Sequence, residues 1–87
     1  MNSIILKSRL NGKIKYELTM TYFLDDDNIR HKVYGISIRD SELFEHIEDI
    51  SDNLKEVEKL FDLMAEEQLY PEHLLDVAED YVNCEKS

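Results

Sequence analysis

The sequence predicts an α+β fold: an antiparallel meander of three or four strands covered on one face by two C-terminal helices. Three observations predict it. Apolar residues alternate with period two over positions 14–38, the spacing becomes helical after residue 53, and 87 residues leave room for one domain with one core. A sheet with one apolar face and two helices with apolar stripes all need cover, which stacking the helices on the sheet supplies. The expected organisation is a single domain over 1–87, with sheet in about 3–50 and helices over about 53–67 and 71–83.

The centre of the meander is the clearest part. Ile14, Tyr16, Leu18, Met20, Tyr22 and Leu24 are apolar at every even position, and Tyr34, Ile36 and Ile38 continue the pattern. A one-residue slip would send one set to solvent, so the turn must bring both apolar faces to the same side. Pairing Asp25 with Ile29 does so. It sets Met20 against Tyr34, Leu18 against Ile36 and Tyr16 against Ile38, and leaves Asp26, Asp27 and Asn28 as the loop with Asn28 in the left-handed conformation. The length of these strands predicts strong twist or a bulge near Gly35.

The first strand, about Ile4 to Arg9, meets the second at LNGK. A two-residue Asn11-Gly12 turn would put Leu6 opposite Glu17. Matching polarity between neighbours therefore favours a Leu10-Asn11-Gly12 loop, with Ile4 facing Leu18, Leu6 facing Tyr16, and Arg9 opposite Lys13. Residues 44–50, FEHIEDI, read either as a fourth strand or as an extended lead-in.

Leu54, Val57, Leu60, Phe61 and Met64 form a helical stripe, and Asn53 with Glu56 fits a capping box, Ser51 being the rival cap. Gln68, Leu69 and Tyr70 interrupt, and Pro71 suits the first position of a second helix with Leu74, Val77 or Ala78, Tyr81 and Val82 on its stripe.

Charge is unevenly divided. Residues 1–40 carry seven Lys or Arg against five acids, whereas residues 41–87 carry three against fifteen, so +2 in one part faces −12 in the other within a net charge of −10. Such polarity suggests an electrostatically steered protein partner, although an acidic helical face also serves solubility alone. Direct nucleic-acid binding through the cations of the first forty residues works against the overall negative charge. No apolar run approaches the roughly 20 residues of a membrane span, and MNSIILKSRL lacks signal-peptide features, so the expectation is a cytoplasmic protein without a membrane partner. The single Cys84 reads as incidental.

KYELTMTYFL, KVYGISI, EDIS, a charged helix and YPEHLLDVAEDYV follow one another in an order that resembles a family of small uncharacterised clostridial (Firmicutes) proteins, a domain of unknown function. The likeness runs from about Lys15 to Val82 and is most specific in PEHLLDVAED, Pro71 to Asp80. Where such families set a small capping residue before the proline, this chain has Tyr70, which implies a less firm helix start. The resemblance implies a shape and no mechanism.

Constellations for chemistry are sparse. His73, Asp76 and Asp80 share a helix face, which permits a metal-dependent hydrolase, but zinc sites recruit further His or Cys. Alternatively, Asp76 or Glu79 pairs with a cation of the sheet. DDDN lacks the glycine and glutamate of a calcium loop, Gly12 and Gly35 are isolated, and no nucleophile stands beside a base. No cofactor and no enzymatic activity are expected. What remains is the outer sheet face, where Phe23 and Val33 are diagonal neighbours on the side of Lys13, Lys15 and His31.

The expected function is therefore a small acidic regulatory or inhibitory protein that docks on another protein, with Phe23, Val33, Asp76, Glu79 and Asp80 as partner-binding residues. A sharper alternative is a phage-encoded anti-defence protein of anti-CRISPR type, whose carboxylates mimic nucleic acid toward a basic nucleic-acid-binding protein. The first strand, at a sheet edge, also invites a homodimer.

Overall fold

A computed structural model describes residues 2–86 and the side chains of residues 3–81, so Val82 and Cys84 lie outside the described side chains. The elements are β1 (Asn2–Asn11), β2 (Ile14–Leu24), β3 (Arg30–Arg39), β4 (Phe44–Ser51), α1 (Leu54–Glu66), a 3₁₀ turn (Pro71–His73) and α2 (Leu74–Lys86). The strands form one antiparallel meander in sequence order, and the helices pack on one face, so the predicted α+β architecture holds with four strands.

The β2–β3 register follows the apolar alternation: Tyr16 pairs with Ile38, Leu18 with Ile36 and Met20 with Tyr34. The Asp25 amide donates to the Ile29 carbonyl at 3.1 Å, and Asn28 has φ 62°, so the loop is the one that matching faces require. Ile14, Tyr16, Leu18, Ile36 and Ile38 are buried in one cluster with the helices, and Met20 is buried beside it. Leu24, on the same alternation, is 62% exposed because the hairpin end outruns the helical layer.

The β1–β2 register departs from the expectation. Asn11 pairs with Ile14, so the turn is Gly12-Lys13. Gly12 has φ 66° and Lys13 is not among the residues with positive φ, which is the pattern of a II′ turn. Arg9 lies opposite Tyr16 and Lys7 opposite Leu18; a bulge at Leu6 then brings Ile5 to Thr19 and Ile4 to Met20. Ile4 thus does not face Leu18, Leu6 does not face Tyr16, and Arg9 does not oppose Lys13. The physical reason lies on α1. Lys7 Nζ and Arg9 Nη1 reach Asp62 Oδ1 at 3.4 and 3.3 Å, Asn11 Nδ2 donates to the Ala65 carbonyl at 2.8 Å, and Lys7 also sits 5.8 Å from the centre of the Phe61 ring. Polar residues of β1 take the helix-facing side because the helix offers them partners there.

Residues 44–51 form a true edge strand with a large bulge: Ile36 pairs with Ile47 and Tyr34 with Ser51, so Gly35 alone spans Glu48, Asp49 and Ile50. A Cβ on Gly35 would lie 2.0 Å from the Ile47 carbonyl oxygen and 2.5 Å from that of Glu48. The bulge carries Ile50 into the core. Asp40 holds the turn before β4, its Oδ1 accepting from the amides of Glu42 and Leu43 at 2.8 and 2.6 Å. Those amides hold its carboxyl below the ordinary range, Leu43 contributing most.

Both cap candidates for α1 are used. Asn53 Oδ1 accepts from Lys55 and Glu56, while Ser51 Oγ accepts from the Asn53 amide and donates to Glu56. The reciprocal limb of the capping box is thus routed through Ser51. Val57, Leu60, Phe61, Met64 and Ala65 are buried, whereas Leu54, in the first turn, is exposed. The helix ends in a Schellman motif: Leu69 donates to Met64, Gln68 donates to Ala65, and Gln68 occupies the left-handed position at φ 54°. Tyr70 makes no side-chain cap, and the chain enters a 3₁₀ turn at Pro71 before α2 begins at Leu74, three residues later than the predicted start. Leu74 and Ala78 are buried, with Val77 and Tyr81 packed against the core. Tyr16 Oη donates to the Leu69 carbonyl at 2.8 Å, and burial, followed by the neighbouring Tyr70, raises its pKa.

Candidate interaction surfaces

At the end of the β2–β3 hairpin, direct pairing stacks Phe23 on His31 with ring centres 5.1 Å apart. His31 Nε2 meets Asp25 Oδ2 at 2.7 Å, and Asp25 Oδ1 accepts from the amides of Asp27 and Ile29 at 2.9 Å each. The Asp25 carboxyl is held below its ordinary value, first by the His31 hydrogen bond and then by these amides. Phe23 is partly open, but Val33 beside it is buried; Leu24 and Ile29 are also exposed at the hairpin end, Leu24 on the opposite face of the strand. Lys15 does not rim it, because it pairs with Arg39 at the opposite end of β2, about 27 Å along the strand. Lys13 belongs to the Gly12-Lys13 turn at that opposite end. Arg30 and Lys32 lie on the other face of the hairpin, 5.3 and 5.8 Å from the centre of the Tyr22 ring.

At its other end, the helix-free face of the sheet carries a polar group that sequence spacing does not reveal. Thr19 Oγ1 and His46 Nε2 are 3.2 Å apart, Ser37 Oγ donates to Glu17 Oε1 at 3.3 Å, and the Arg39 guanidinium lies 4.6 Å from the centre of the Phe44 ring. The carboxylate bonds to the serine and the imidazole to the threonine. A nucleophile relay requires that the acid orient the base as well as that the base hold the nucleophile, and here Glu17 bonds to Ser37 and not to His46. Thr19 and Ser37 are buried between longer neighbours, so this group braces β2, β3 and β4 against one another.

The acidic surface is formed by α2 and the strand beneath it. Asp76, Glu79 and Asp80 are exposed, and α2 packs chiefly on β4, which carries Glu45, Glu48 and Asp49. Neither Asp76 nor Glu79 takes the predicted place against a cation of the sheet; Asp62 on α1 does, between Lys7 and Arg9. The charge boundary therefore runs through the sheet, with cations on β1 and β3 and carboxylates on β4 and the helices. His73 is exposed, 3.8 Å from Glu72, and among the described residues no group of three or more His, Cys, Asp or Glu side chains is placed to hold a metal ion. No described helix is long and apolar enough to cross a membrane.

Asp62 was missing from the expected site residues. Its signal was Lys7 and Arg9 two apart on a strand, with an acid on the flank of the helical stripe of α1.

No curated protein and no solved structure matches the chain. The profile of a family of unknown function (DUF6514) matches residues 1–84, nearly the whole sequence, and the chain belongs to that family.

Proposed function

We propose that this chain is a small, acidic, non-enzymatic regulatory or inhibitory module that acts in the cytoplasm by docking on a protein with a basic surface. The observation that carries the reading is the exposed row Asp76, Glu79 and Asp80 on a helix packed over the equally acidic β4, at the sheet edge opposite Lys7 and Arg9 of β1. Like charge gathered on one side steers an oppositely charged partner and fixes its orientation. Phe23 supplies a separate exposed apolar contact at the hairpin end.

A nucleic-acid mimic is the sharper version. The three carboxylates span about 6 Å of helix axis, a charge density approaching the one charge per about 1.7 Å of duplex DNA. A basic nucleic-acid-binding protein, such as a phage-targeted defence nuclease, is the partner that this density fits. The clostridial setting belongs to the same proposal, and genes placed in prophages beside other anti-defence genes would support it.

The test is affinity capture from the native host with the wild type and with Asp76→Asn/Glu79→Gln/Asp80→Asn. A partner retained by the wild type, lost by the triple variant and weakened by salt supports the reading. Recovery of no stable partner, or of one indifferent to the three substitutions, overturns it. For the mimic, the captured protein must also release its nucleic acid when this chain is added.

A further inference from the structure

We infer that two copies of this chain pair antiparallel through the exposed edge of β1, around Ile4, to form one continuous eight-stranded sheet from two four-stranded ones. The inference goes beyond the acidic docking surface and does not depend on it.

An edge strand presents unpaired backbone groups, and proteins that stay monomeric guard such edges with charge, bulges or cover. The two edges of this sheet differ in that respect. β4 carries Glu45, Glu48 and Asp49, is bent by the bulge opposite Gly35, and lies under α2. β1 begins with the uncharged run Asn2-Ser3-Ile4-Ile5-Leu6, and α2 packs over the opposite edge of the sheet. Its bulge, at Leu6, closes this stretch on one side without interrupting it. The segment is held in strand form by its pairing with Met20, Thr21 and Tyr22 and by the 2.8 Å hydrogen bond between the Ser3 and Thr21 hydroxyls. Ile4, Ile5 and Leu6 are nevertheless 45, 57 and 43% exposed, three consecutive large apolar side chains at an open edge.

A second copy fits better than a foreign charged strand. Antiparallel pairing centred on Ile4 sets Ile4 against Ile4 of the copy and Ile5 against its Ser3, and leaves Lys7 and Arg9, already turned to Asp62, outside the paired stretch. Association also has to overcome a net charge of −10 on each chain. Meeting at β1 is the arrangement with the least repulsion, because it puts both acidic β4–α2 sides at the ends. Across seven strand spacings of about 4.8 Å those ends are more than three Debye lengths apart at about 0.1 M salt.

The test is sedimentation velocity of the full chain over a concentration series. The wild type is expected to dimerise, and Ile4→Lys and Ile5→Lys, each checked for folding by circular dichroism, to raise the dissociation constant at least about tenfold. Leu10→Lys, at the far end of β1, should leave it unchanged. Mixing Ile4→Lys with Ile4→Glu should restore dimers, because residue 4 meets itself across the two-fold axis. Hydrogen exchange should show amides of residues 2–5 protected at high concentration and not at low. A wild type that stays monomeric throughout leaves the edge to a strand of another protein and overturns self-pairing. So does a dimer that survives both lysine substitutions.

Discussion

The two edges of the sheet are built on opposite principles. β4 carries three carboxylates and is anchored from below: Ile47 and Ile50 reach the core, α2 lies over the strand, and a three-residue bulge fits only because Gly35 has no side chain. β1 has no apolar anchor of comparable depth. Its inner side is held by polar links to α1, through Asp62 and the Ala65 carbonyl, and its apolar residues remain at the surface. Burial makes the β4 side strong and closed to addition, whereas half-exposed polar links leave the β1 side in place but open.

Substitutions can break or sharpen that contrast. The largest effect is expected for Gly35→Ala, where a methyl would meet the Ile47 carbonyl at 2.0 Å and must displace β4 backbone. A loss of about 3 kcal/mol or more in chemical denaturation, or failure to fold, is expected. A loss under about 1 kcal/mol would mean that β4 shifts easily and that the two edges are alike.

At the corner where α1 ends above the first turn, Asn11→Ala should cost about 1 kcal/mol by removing the donor to the Ala65 carbonyl. Gln68→Gly should stabilise by a similar amount, about 1 kcal/mol, since it relieves the left-handed backbone at φ 54° and forfeits only a 3.5 Å contact to the Asn11 carbonyl. Denaturant midpoints moving in opposite directions would verify both. A smaller change, about 0.5 kcal/mol, is expected for Asp62→Ala, because its ion pairs with Lys7 and Arg9 are well exposed. A cost above about 2 kcal/mol would show that charge, and not shape, secures β1.

Acid should also act unequally. Asp40 before β4 and Asp25 at the hairpin end have pKa values lowered by the amides and, for Asp25, by His31. The unfolded chain then binds more protons than the folded one, so their stabilisation is present above about pH 4 and is lost as pH falls through the folded-state values. Denaturation followed down the pH scale should show Asp40→Asn losing less stability in acid than the wild type.

How far the fold was legible in sequence depended on whether a strand's partners were its neighbours. Between β2 and β3 two apolar faces constrain each other, so Tyr16–Ile38 and the left-handed Asn28 followed from alternation and turn chemistry. The bulge near Gly35 was legible for a similar reason, as a glycine inside a long strand. For β1, matching polarity to β2 alone put Ile4 and Leu6 on the wrong neighbours, because Lys7, Arg9 and Asn11 are satisfied by α1, more than fifty positions away. Of the expected contact residues, Asp76, Glu79 and Asp80 are exposed on α2 and Phe23 at the hairpin end. Val33 failed as a surface residue because its neighbours shield it, a matter of packing that period two does not encode.

By itself, then, the sequence determined the layer architecture, the central register, the cap at Asn53 and the uneven division of charge, all of which arise from periodicities and short-range chemistry. Only the tertiary structure decided the β1 register, the role of Asp62, the 3₁₀ entry to α2 and the burial of Val33. Those depend on which polar groups and side chains become neighbours once helix and sheet are stacked, and that proximity exists only in the packed molecule.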